Sequence, residues 1–222
     1  MKPAIEQVAV PEPDDKARIA RERSSLYGFL ASVFRAEPTA ALLGEIRKAA
    51  FGGALKAVGV DLVDSLSGRS DEDLVEELAV EYARLFIGPG PHTTPYAAVY
   101  LGGDGASLWG PETVWVKRFI EDAGFDYTPD FQGLPDHIAV ELEFMQEMTS
   151  REARALEEAT VAKAQAIVKT EAVFLTRHMA RWVPKFCAKI TSQARLPFYS
   201  EMAALTVDFI LSEAEELAST PS

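Results

Sequence analysis

Residues 71–90 read DEDLVEELAVEYARLFIGPG, and their spacing decides the fold class. Leu74, Leu78, Tyr82, Leu85 and Phe86 recur with the period of one helix face, while acids hold the opposite side. Asp71 is placed to cap the start, and Gly88 with Pro89 ends the helix.

The same period appears on either side. From Asp14 to about Arg35 two leading acids suit the positive end of a helix, and Leu26, Phe29, Leu30 and Val33 form the apolar stripe. In PETVWVKRFIEDAG, Pro111 fits the first helical position and Gly124 the exit, with Val116, Phe119 and Ile120 turned inward. Further helices are expected over 39–50, 53–66, 135–158, 160–182 and 197–217, with Pro184 and Pro197 as breaks. Strand signals are nearly absent; only AAVYL, residues 97–101, suggests extended chain. The expectation is all-α: a single helical domain of about eight to ten helices over residues 14–217. A mobile tail over residues 1–13 precedes it.

The 222 residues suffice to bury a core without staples, and the lone cysteine, Cys187, excludes an intramolecular disulfide. Lys and Arg total 22 against 34 Asp and Glu, a net charge of −12. That surface repels nucleic acid and anionic membranes and attracts a basic partner. The N-terminal stretch lacks the apolar core of a secretory signal, and no apolar run is long enough to span a bilayer. These features predict a cytoplasmic protein without an integral membrane segment.

Residues 88–111 break the helical pattern. They are dense in Gly and Pro and hold Tyr96, Tyr100 and Trp109. A connection this long is uncommon in a compact helical domain and is often functional. It is expected to serve as a hinge between N- and C-terminal halves, which leaves both a monomer and a domain-swapped dimer open.

Enzyme signatures are missing. There is no phosphate-binding G-x-x-x-x-G-K-[ST], no H-E-x-x-H and no G-x-S-x-G. None of the three histidines, His92, His137 and His178, follows a Glu by three residues, so the di-iron bundle signature fails. No cofactor or metal is expected. His137 and Glu141 stand at i, i+4 and could share a helix face, but two ligands do not make a zinc site. Pairing between those two, or exposure of Glu141, is the plainer expectation.

The segment GLPDHIAVELEFM, residues 133–145, sets Asp136 and His137 behind Pro135. Pro135 suits the first helical position and Asp136 the positive helix end. His137 in the first turn should lean neutral. A carboxylate and a neutral imidazole at one turn could fix the backbone of a bound peptide or of the adjacent loop.

EYARLFIGPG, then PYAAVYL, then PDHIAVELEFM, in this order, resemble the TorD/DmsD family of redox-enzyme maturation chaperones, more distantly related to the NarJ group. The resemblance is specific from about Glu77 to Met148. It implies an all-α, non-enzymatic cytoplasmic protein that binds the twin-arginine signal peptide of a molybdopterin-containing oxidoreductase and delays its export until the cofactor is loaded. The implied partners are that peptide, the folded body of the oxidoreductase and the export translocase. The family's Asp-His motif, tied to signal-peptide recognition, maps onto Asp136 and His137. One departure is visible: a Glu often precedes the pair, and here Gln132, Gly133 and Leu134 precede Pro135.

An apolar groove for the peptide's centre would draw on Phe86, Tyr96, Tyr100, Trp109, Trp115 and Phe119, beside Pro135, Asp136 and His137. Two other readings compete. One is a small helical metal-dependent hydrolase using His137, Glu141 and Asp136; the other is a generic helical adaptor.

Overall fold

The computed structural model describes residues 13–48, 68–88, 92–103, 107–125 and 133–219. The tail expected over 1–13 lies outside these residues except for Pro13, as does the helix expected over 53–66. The described chain is α-helical throughout, and its sole extended pairing is an isolated antiparallel bridge between Tyr96 and His137.

Helix α1, Pro13–Arg35, packs along α6, Ile138–Glu157. At Gly28 the amide end of the Gln146 side chain lies 2.5 Å from where a Cβ would stand. Helix α2, Ala40–Arg47, is capped by Thr39. Helix α3, Asp71–Tyr82, is capped by Ser70, whose Oγ accepts from the Asp73 amide at 3.1 Å. The cap is therefore one residue earlier than Asp71, which instead places its charge in the first turn.

The stripe read from residues 74–86 is buried, with Leu78 and Leu85 fully enclosed. After Tyr82 the helix widens into a π turn, Ala83–Ile87, closed by Gly88 N–H donating to the Ala83 carbonyl at 2.6 Å.

AAVYL is a short helix, α4 (Ala97–Leu101), not a strand. Its first amides find acceptors on the 136 turn, so five residues suffice without propensity of their own. Helix α5, Pro111–Asp122, begins at its proline as expected and leaves through Gly124 at φ 81°.

Helices α7 (Val161–Phe174) and α8 (Ala180–Gln193) are joined by a second π turn, Leu175–Met179, into one continuous rod. Pro184 does not break it. The proline lies within the first turns of α8, where only the bond to the Ala180 carbonyl is lost. Pro197 does mark a boundary, opening α9, Pro197–Ser219.

The core is aromatic. Tyr27, Phe34, Phe174, Trp182, Phe186 and Tyr199 are fully buried or nearly so. Their hydroxyls are satisfied where chain ends meet: Tyr199 donates to the Leu78 carbonyl at 2.9 Å, and Tyr82 to that of Phe34 at 3.0 Å.

Candidate functional site

The Pro135-Asp136-His137 corner forms a turn, and α6 starts only at Ile138. Pro135 is thus outside the helix it was expected to open. His137 is the N-cap: its Nδ1 accepts from the Ala139 amide at 3.1 Å, which requires an unprotonated nitrogen there. Burial is the main reason that the imidazole is pushed down to about 3, with the Arg35 charge adding to it. The expected neutrality holds, and desolvation is its largest cause.

Asp136 is fully buried. Its main-chain carbonyl accepts from Ala97 N–H at 3.0 Å, and its Oδ2 accepts from Ala98 N–H at 2.9 Å. One residue therefore caps all of α4 from a distant part of the chain. Pro95 completes the seam by accepting from Ile138 N–H at 2.9 Å. Oδ1 of Asp136 has no donor within hydrogen-bond geometry. The Thr113 hydroxyl lies close enough to favour the charged carboxylate, yet it donates to the Leu108 carbonyl at 2.7 Å. Burial raises the Asp136 pKa, opposed by the Ala98 amide among others.

Glu141 neither pairs with His137 nor reaches solvent. It is fully buried, with Oε1 and His178 Nε2 sharing a hydrogen bond of 2.6 Å and Oε2 accepting from Trp182 Nε1 at 3.0 Å. Burial pushes its carboxyl up to about 6, against the pull of His178. Asp136, His137 and Glu141 thus each make their hydrogen bonds to different partners. Among the described residues no His, Cys, Asp and Glu group could hold a metal ion. The proposed hydrolase constellation is not assembled.

The aromatic candidates separate into three settings. Phe86 belongs to the core, against Tyr82, Phe186 and Tyr199. Tyr96, Tyr100, Trp115 and Phe119 are half-buried. Tyr96 sets its ring edge on His137, Tyr100 stacks on Trp182, and Trp115 stacks on Phe174 beside His178. Trp109 is 65% exposed.

Sequence reading did not single out Val99, Leu108 and Val114, which are also exposed. Val99 follows Ala98 on α4, Val114 follows Thr113 on α5, and Leu108 and Trp109 stand in the turn before α5. A separate groove of about 710 Å³ runs along α3, away from the Asp-His corner. Asp73, Glu76, Glu77, Val80, Glu81 and Leu196 line it with Arg69 and Arg195.

A family profile described as nitrate reductase delta subunit matches residues 36–188. The chain belongs to this family, on its TorD/DmsD side. The chaperone protein TorD of Shewanella pealeana is 26% identical over 213 residues, 89% of this chain and 90% of that protein. TorD of Vibrio atlanticus is 25% identical, covering 92% of this chain and 98% of its own. TorD of Photobacterium profundum is 28% identical over 68% of each chain. A solved structure of a putative redox enzyme maturation protein from Archaeoglobus fulgidus shares the fold, with a TM-score of 0.53 at 18% identity. It covers 93% of this chain and 99% of that one. This TorD-family member is accordingly a chaperone and not an enzyme. Among its described residues no helix is long and apolar enough to cross a membrane.

Proposed function

We propose that this chaperone binds the twin-arginine signal peptide of a molybdopterin oxidoreductase in the cytoplasm and delays its export until cofactor insertion and folding. The observation that carries the reading is the exposure of Val99, Leu108, Trp109 and Val114, together read as one apolar strip, in a TorD-family chain. The strip suits the moderately apolar centre of such a leader. Asp136 and His137 act beneath it, holding α4 in place, and need not touch the peptide.

The basic start of the leader is drawn by the charge of −12 and received in the acidic groove on α3. Lys185 Nζ of α8 donates to the Tyr100 carbonyl, and Arg84 donates to the Gln193 carbonyl at the end of the same helix.

Isothermal titration of a molybdoenzyme leader peptide against the wild type and Trp109→Ala tests the reading. The expected result is micromolar-range binding, weakened by the substitution and lost when the apolar centre is scrambled. Equal affinity for leader and scrambled peptide would favour the generic adaptor. No binding of any such leader by the wild type overturns the proposal.

A further inference from the structure

The most unusual electrostatic feature lies away from that surface. Arg23 of α1 places its three guanidinium nitrogens on three carboxylates from three other helices. Nη1 donates to Glu152 of α6 at 2.6 Å, Nη2 to Glu171 of α7 at 2.7 Å, and Nε to Glu213 of α9 at 2.6 Å. The side chains are 12%, 12%, 0% and 8% exposed for Arg23, Glu152, Glu171 and Glu213. Tyr27 adds a hydroxyl that donates to Glu213 Oε2 at 3.2 Å, and the charge of Glu216 acts on Glu152.

One cation faces three anions. If all three ionise, two negative charges stay uncompensated in a nearly dry site, an arrangement proteins avoid by keeping a proton. The geometry selects the holder. Glu213 receives two donors, and Glu152 is nearer solvent. Glu171 is fully enclosed, receives one donor on Oε2, and leaves Oε1 with no partner. A neutral acid tolerates that setting better than an anion does.

We propose that the Arg23 cluster is a proton-linked clasp: in the folded protein one proton resides on Glu171 at neutral pH, and its departure loosens the hold of α1 on α6, α7 and α9. Burial pushes the Glu171 carboxyl up to about 8, with Glu152 and Glu213 adding to the rise and Arg23 opposing it. The sign follows from a folded value raised above the ordinary 4.5. The stabilisation is complete below 4.5 and is lost as pH rises through about 8. In that window the folded chain holds a proton that the unfolded chain has released.

Equilibrium unfolding of the full chain and of Glu171→Gln across this pH range reads the clasp. The unfolding constant of the wild type, taken relative to the variant, should rise about tenfold per pH unit between about pH 5 and 8, then level off. The glutamine keeps shape and one acceptor but cannot release the proton. Infrared difference spectra supply a second readout that needs no variant. At neutral pH the native wild type should show the C=O stretch of a buried protonated carboxylic acid, disappearing as pH passes about 8. Parallel pH profiles for both proteins, or a wild type with no such band at neutral pH, overturn the proposal. If Glu171→Gln does not fold, the wild-type band alone decides.

Discussion

The carboxylate of Asp136 accepts the amide of Ala98 at 2.9 Å, so the corner that sets the start of α6 also holds the start of α4. The Asp-His pair is therefore an internal joint between two helix beginnings. Its surface consequence is the position of Val99 and Val114, not a charge offered to solvent.

Removing that joint should cost stability first and binding second. Asp136→Ala leaves the buried Ala98 N–H without its acceptor, a loss of about 1–3 kcal/mol in thermal or urea unfolding. Asp136→Asn retains an acceptor and should lose less. If Asp136→Ala kept full stability yet abolished peptide binding, Asp136 would be a direct contact and its assignment as a joint would be wrong.

The Glu141–His178 pair should behave as an enclosed ionisable pair. Glu141→Ala or His178→Ala breaks this fully buried hydrogen bond, leaving Glu141 in the second case with only the Trp182 donor, and should destabilise by about 3–5 kcal/mol. A double-mutant cycle should show strong coupling, because the second removal costs much less than the first. Additive losses in chemical denaturation would contradict this.

His137 should make the chain acid-sensitive. Its folded value is depressed from 6.5 to about 3, so its contribution is present above 6.5 and is lost as pH falls toward 3. In that range the unfolded chain takes up a proton that the folded chain refuses. His137→Asn keeps a good N-cap acceptor and does not titrate. The variant should gain stability over the wild type steadily as the pH is lowered below about 6.5, measured by unfolding at several pH values. A constant difference between the two would refute the assignment.

Trp109 and Trp182 should separate cleanly. Trp182 is fully enclosed, and Trp182→Ala should cost about 3–5 kcal/mol. Trp109→Ala, at an exposed position, should stay within about 0.5 kcal/mol of the wild type while weakening leader binding. Unfolding curves and peptide titrations on the same samples check both.

Helix periodicity made most of the architecture legible. The stripe Leu74–Phe86, the entry at Pro111, the exit at Gly124 and the boundary at Pro197 all follow from local rules, and all are found. The errors have a common origin in contacts between distant parts of the chain. AAVYL becomes helical because residue 136 supplies its caps. Glu141 turns inward because His178 and Trp182 meet it from α7–α8. Arg23 finds its three carboxylates more than a hundred residues away, a relation that no local spacing records. The family was readable from three ordered segments, whereas the exposure of Val99, Leu108 and Val114 was not.

The widened turn at Leu175–Met179 inserts one extra residue into an otherwise regular rod. Orthologues that keep a plain helix there should be shorter by one letter between the counterparts of Glu171 and Trp182. Deleting a single residue from this chain at that spot should close the turn into plain α-helix and keep the downstream faces in phase. Trp182, Phe186 and Cys187 would keep their neighbours, so that the widened turn takes up one codon without disturbing the C-terminal third.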